Sequence, residues 1–391
     1  MIGDEGDAEA STGLGGRARW RARAAEIEAQ GLRRRLRAQV PVDATRALIA
    51  GEDRVYDVFS SNDYLGLAAH PEVEAAMASG GAGAARLIAG NRRGHDALEA
   101  QLSEWLGRPA TLFGSGYLAN LAVFTALYGE GDMIASDAYN HASIIDGLRL
   151  SRCARRVVTH GASELPDEAT AVVVEGLYSM DGDVPPFDRL QSALRGRTLV
   201  VDEAHALGCL GPEGRGVAAG EGVTPDIVVG TLGKAFGAAG AFVVGPPEVR
   251  EILISSARPF IYTTALPEGV ALAASVGVRL ATAERRERLA ANTARLRAGL
   301  QDLGIDALGV AHIVPIVTGA RTMALAGELL EAGFLVGAVR YPTVARGSER
   351  LRITLSAEHS NEQIDRLLTA VSSACTKTDD VAFDTSARRD V

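Results

Sequence analysis

The chain has 391 residues, 47% of them hydrophobic, and a formal net charge of −9. That length exceeds one compact core and points to two packed units with extensions, while the apolar share excludes global disorder. The acidic balance excludes a general nucleic-acid binder, which needs a positive field.

Residues 1–16 are rich in Gly and acidic residues and read as a disordered start without the apolar core of a secretory signal. Residues 17–38 read as a basic helix, in which Glu26 and Glu28 argue against a transit peptide. No apolar run approaches the roughly 18 residues of a membrane span. The three cysteines, Cys153, Cys209 and Cys375, form no CxxC pair. Reduced thiols, no metal site and a cytoplasmic location are the expectation.

Short, Val-rich, non-alternating runs then recur at 171–174, 198–201, 226–229 and 241–244. Strands buried on both faces look like this. Helical patterns between them, such as Phe187 to Leu194, predict βαβ units and a mostly parallel sheet. The run from Phe242 follows so closely on the one before that an antiparallel member is expected. From Pro267 to Leu303 the pattern reads as one long helical stretch. A strand at 313–317, a helix at 322–332, strands at 335–339 and 351–355 and a helix at 361–373 follow, giving a small α+β unit. Residues 376–391 read as a loose polar tail.

Five segments carry chemistry. Lys234, in Thr231-Leu232-Gly233-Lys234-Ala235-Phe236-Gly237, stands just past a buried strand, where open α/β sheets bind ligands. An amine desolvated there can form a carbonyl adduct such as a Schiff base. Asp202, in Val200-Val201-Asp202-Glu203-Ala204-His205, ends an apolar run and needs a cationic partner. A pyridinium nitrogen is such a partner, and His205 reaches the same pocket. The letters Asp-Glu-Ala-His also suit an NTPase, but the phosphate loop GxxxxGK[ST] is missing around Lys234. Phe113-Gly114-Ser115-Gly116-Tyr117-Leu118-Ala119-Asn120 holds a Ser-Gly turn that opens a helix with free backbone amides, a setting for a phosphate. Asp137-Ala138-Tyr139-Asn140-His141 offers an imidazole for a planar ring. Val174-Glu175-Gly176-Leu177-Tyr178-Ser179 brings Glu175 and Ser179 to the same sheet edge. Taken singly, each also fits a structural role as cap, turn or surface loop. Together they place several polar groups at strand carboxyl ends or helix starts.

With Ser60-Ser61-Asn62-Asp63-Tyr64-Leu65-Gly66-Leu67, Arg86-Leu87-Ile88-Ala89-Gly90-Asn91, His95 and Ser179-Met180-Asp181-Gly182-Asp183, these segments make residues 30–375 resemble the α-oxoamine synthases. The resemblance implies an α/β fold of the fold-type I pyridoxal-phosphate-dependent transferases. A large, mostly parallel sheet domain of the seven-stranded type is joined there to a small C-terminal α+β domain. The expected division is an extension and helix at 1–55, the cofactor-binding domain at 56–285, the small domain at 286–376 and a tail at 377–391.

The activity implied is condensation of an amino acid with an acyl thioester and release of CO2. Gly31-Leu32-Arg33-Arg34-Arg35 and Val339-Arg340-Tyr341-Pro342-Thr343-Val344 are most similar to the biotin-pathway branch, which takes L-alanine and a pimeloyl thioester of coenzyme A or a carrier protein. Ala206 and Tyr341 depart from the usual Gly and Pro of that pattern. A sister synthase using glycine or another acyl thioester is the alternative, ahead of an aminotransferase or a non-catalytic partner subunit.

Carried over, the resemblance makes Lys234 the cofactor tether and later the base. It gives Asp202 the pyridine nitrogen, His205 the ring oxygen side and His141 the ring face. Gly116, Tyr117 and Thr231 come to the phosphate, and Ser179 and Glu175 near the ring. Asn62 and Arg352 would hold the amino acid carboxylate, and Arg33 and Thr354 would contact the acyl substrate. A homodimer is implied, with Thr263 and Thr264 reaching the partner's phosphate; no nucleic acid or membrane partner is expected.

Overall fold

The structure is a computed structural model that describes residues 16–161 and 164–376. The expected disorder over residues 1–15 and the tail at 377–391 lie outside the described residues. The chain divides into Met1–Gln39 and Val40–Val391.

In the first unit the helix runs Gly16–Ala29, not to residue 38 as expected. Gly31 ends it, at φ +65°, a conformation open to glycine that lets the Leu32 amide bond back to the Ile27 carbonyl at 2.9 Å. Its charges pair locally, Arg23 with Glu26 and Arg33 with Glu28.

The second unit is built on a seven-stranded sheet. Its strands lie in the order Ala110–Phe113, Ala241–Val244, Ile227–Thr231, Thr198–Asp202, Ala171–Glu175, Met133–Asp137 and Ala154–Val158. Only Ala241–Val244 runs against its neighbours, as its closeness to the preceding strand predicts. The Val-rich runs lie inside this sheet, and their side chains alternate between its two covered faces. Val173, Val200 and Val229 face the helices Gly116–Leu127 and Ala142–Leu150. Val172, Val174, Leu199 and Val201 face Phe187, Leu190 and the helix Ala283–Asp302. Two covered faces explain why these strands carry no polar alternation.

A second sheet runs in the order Arg46–Ile49, Val55–Phe59, Phe334–Val339, Arg350–Thr354 and Ile313–Val317. Val55–Phe59 pairs in parallel with Phe334–Val339, so strands from before residue 60 complete the C-terminal α+β layer. The stretch 267–303 is two helices, Glu268–Leu280 and Ala283–Asp302, rather than one. Thr282 breaks it by taking an extended conformation and accepting the Arg285 amide on its hydroxyl. The expected division at 285/286 falls inside the second of these helices. Among the described residues, no helix is long and apolar enough to cross a membrane.

Candidate active site

Parallel register brings the carboxyl ends of the central strands level. Glu175 sits opposite Asp202, and Asp202 opposite Val229, two residues before Thr231. The loop from Leu232 to Gly240 then folds over this edge, closed by Leu232–Gly240 and Ala238–Leu232 backbone bonds of 2.9 and 3.0 Å. Lys234 lies in that loop. Its ammonium makes no hydrogen bond to the described residues and faces Asp202 and Glu175. Burial pulls its pKa down to about 8, against the opposing pull of those two carboxyls. A lysine in that condition is a nucleophilic amine near neutral pH.

Asp202 is buried, and both its oxygens are held. Oδ2 accepts from Asn120 Nδ2 at 2.7 Å and Oδ1 from the Ala204 amide at 3.0 Å. Beside it, the fully enclosed Glu175 has Oε1 without a hydrogen bond. Burial, reinforced by Asp202, raises its pKa well above the usual carboxyl range. Glu175 faces the backbone amides of His141 and Ser179.

His141 caps the helix Ala142–Leu150. Its Nδ1 accepts the Ser143 amide at 3.3 Å and meets Ser143 Oγ at 2.8 Å. Burial, with a smaller contribution from the Lys234 charge, lowers its pKa despite the attraction of Asp202. The neutral ring then carries its proton on Nε2. Asn120 Nδ2 donates to Ser143 Oγ at 2.9 Å as well as to Asp202, so one amide holds both groups.

On the other side, His205 is buried and driven well below its ordinary pKa by desolvation and then by the Lys234 and Arg352 charges. Its Nδ1 lies 2.6 Å from the Tyr64 hydroxyl, which also reaches Asn62 Oδ1 at 3.0 Å. Arg352 donates to the same Asn62 oxygen at 3.2 and 3.3 Å and, through Nε, to the Ser179 carbonyl at 2.5 Å. Behind this group His312 bonds the His205 carbonyl at 3.1 Å and packs on Tyr64 at 4.1 Å. Burial holds His312 at about 3, a neutral strut.

Ser115 caps the helix Gly116–Leu127 by accepting the Leu118 amide. The amides of Gly116 and Tyr117 begin that helix with no partner among the described residues. A Cβ on Gly116 would meet only Thr231, at 4.0 Å. Helix dipole and free donors coincide there.

Lys234, Asp202, Glu175, His141, His205, Ser179, Asn62 and Arg352 are thus linked by the contacts above, with Thr231 bordering Gly116. Thr263 and Thr264 line a small cavity with Arg86 and Gly114. Thr354 is buried and donates its hydroxyl to the Ser61 carbonyl at 2.7 Å. Arg33 belongs to the first unit. The Tyr117 side chain points to Asp146, leaving its amide as the helix-start donor. The motifs contain Tyr64 and Asn120 but do not single them out. Asn120 stands one helical turn after Gly116, a spacing that signals a shared face.

The chain matches the family model for aminotransferase class I and II over residues 58–371. It is 47% identical over 376 residues to an 8-amino-7-oxononanoate synthase of Methylococcus capsulatus, covering 90% of this chain and 96% of that protein. It is 45% identical to a synthase of the same name from Halorhodospira halophila, covering 91% and 95%. Among solved structures, a serine palmitoyltransferase of Sphingomonas wittichii is similar with a TM-score of 0.84 at 34% identity, covering 94% and 99%. An 8-amino-7-oxononanoate synthase of Francisella tularensis is similar with a TM-score of 0.72 at 29% identity, covering 82% and 98%.

Proposed function

The chain belongs to the aminotransferase class I and II family, and within it to the 8-amino-7-oxononanoate synthases, and on that premise we propose a decarboxylative condensation of L-alanine with a pimeloyl thioester at the Lys234 site. The products are 8-amino-7-oxononanoate, CO2 and the free thiol, a step of biotin biosynthesis. The cofactor is pyridoxal phosphate. The observation that carries the reading is the Lys234 amine, its pKa lowered to about 8 and without a hydrogen bond among the described residues, beside Asp202 at the strand ends.

The residues fit that cofactor. A buried carboxylate faces the site, an orphaned Glu175 oxygen lines it, and the unpartnered Gly116 and Tyr117 amides begin a helix beside Thr231. Lys234 would hold its carbonyl carbon, Asp202 its ring nitrogen, His205 its ring oxygen, His141 its ring face and the helix start its phosphate. Bound there, pyridoxal phosphate supplies an electron sink for negative charge at the amino acid Cα.

The chain's own residues supply the rest. Arg352, aimed by Asn62 and the Ser179 carbonyl, takes the substrate carboxylate with a guanidinium fork. Lys234 would be the base that removes the α-proton and later returns one. His141 Nε2–H donates to the oxygen that becomes negative when the thioester carbonyl is attacked.

The serine palmitoyltransferase likeness favours a second reading, a sister synthase with another amino acid and acyl chain. Thiol release distinguishes them, measured with L-alanine and pimeloyl-CoA beside glycine with succinyl-CoA and L-serine with palmitoyl-CoA. Release with the first pair alone, and none from Lys234→Ala, is the expected result. Release only with another pair moves the chain to the sister activity, and turnover by Lys234→Ala removes Lys234 from its role. A homodimer and use of a carrier-protein thioester are part of the same reading, checked by light scattering and by substituting the carrier-bound substrate.

A further inference from the structure

The groups above leave His160 unused, although both its ring nitrogens are engaged. Nδ1 lies 3.0 Å from Asp137 Oδ1 and Nε2 lies 2.7 Å from Asp183 Oδ2. Ionised carboxylates only accept, so both nitrogens must donate, and only the imidazolium does so. The ring stacks on Tyr139 at 4.3 Å and meets Tyr178 edge-on at 4.5 Å.

These partners belong to the two loops that serve the site. Asp137 ends its strand and starts the loop to His141, its carboxylate also accepting the Tyr139 amide at 2.8 Å and the Gly161 amide at 2.7 Å. Asp183 closes the loop bearing Ser179, through the Tyr178 amide bonded to the Asp183 carbonyl at 2.9 Å. The Ser179 carbonyl in turn receives Arg352 Nε.

We propose that His160 is a positioning residue, a doubly donating cation that ties the loop of His141 to the loop of Ser179 and thereby aims Arg352. Its effect on substrate binding rests on the reading of Arg352 as the carboxylate clamp; its effect on the loops does not. Without the cation, the buried Asp137 and the half-exposed Asp183 lose their common partner and repel each other. Loop 177–183 then loosens, and the Ser179 carbonyl no longer fixes the guanidinium.

The test uses the holoenzyme with His160→Gln, Asp183→Asn and both together. A loosened clamp raises KM for alanine roughly tenfold or more, with a smaller change in kcat. Hydrogen–deuterium exchange over 138–141 and 177–183 should quicken in His160→Gln. The double variant, which removes the repulsion and pairs two amides, should recover most of both losses. If His160→Gln does not fold, Asp183→Asn alone should shift KM and exchange in the same direction to a smaller extent. Unchanged exchange in the single variants, or a fall in kcat at constant KM, overturns the proposal. A wild type inactive with alanine refutes the functional reading alone, because exchange still reports on the tie.

Discussion

At the scale of single residues, the strand-end logic finds Lys234, Asp202 and Glu175, since an apolar run that stops at a charge announces a sheet edge. It does not find Asn120, whose link to Asp202 spans 82 positions and exists only once helix and strand are packed. That amide is the shared support of the site, donating to Asp202 and, through Ser143, fixing the tautomer of His141. Removing a hydrogen bond to a charged acceptor costs about 1.5–3 kcal/mol, which corresponds to roughly ten- to a hundredfold. Asn120→Ala should therefore release pyridoxal phosphate faster and lower kcat by that factor, with KM for alanine less affected. Cofactor absorbance after dilution and steady-state rates measure the two. Wild-type values for both would mean that the Ala204 amide alone orients Asp202.

Elements were legible wherever burial imposes a pattern. The Val-rich strands were visible because both faces are covered, and the order of their ends followed from parallel register. The break at Ala281–Thr282 was not, because Ala and Thr sit in a helix-rich composition and only the Thr282 cap marks the end. The early strands Arg46–Ile49 and Val55–Phe59 are short and mixed, so their place beside Phe334–Val339 came from tertiary pairing.

One contact joins two motifs that the sequence displays separately. Gly237, in the lysine loop, has φ +64° and packs on Leu67, in the segment Ser60–Leu67. A Cβ there would lie 2.3 Å from the Leu67 carbonyl carbon and 2.5 Å from the Ala68 nitrogen. Backbone cannot swing aside as a side chain does. Gly237→Ala should cost roughly 2–5 kcal/mol, from left-handed strain plus overpacking. The expected outcome is a lower melting temperature together with weaker cofactor retention, since the lysine loop must move. A melting curve that matches wild type would show the loop shifting freely and the motif contact to be incidental.

At the scale of the molecule, the substrate clamp stands on one sheet and the cofactor groups on the other, so their alignment depends on what joins the sheets. Arg350, buried at the start of Arg350–Thr354, is part of that joint, beside the Arg352–Ser179 and His312–His205 contacts. It pairs with Asp181 at 2.5 Å and donates to the Met180 carbonyl at 3.3 Å, two residues along the strand from Arg352. Asp181 and Met180 belong to the loop of the seven-stranded sheet that also carries Ser179. Breaking a buried pair strands the remaining charge at about 3–5 kcal/mol, and the partial exposure of Asp181 puts the cost at the lower end of that range. Arg350→Ala should then lower the melting temperature and raise KM for alanine, because Arg352 loses its neighbour across the joint. Arg295→Ala is the matched control: its pair with Asp365 is exposed on both sides, screened by solvent, and should contribute little. A fall in melting temperature without a change in KM would make Arg350 a structural strut alone. Equal effects from the two substitutions would remove the joint between the sheets from the account of how the site is aligned.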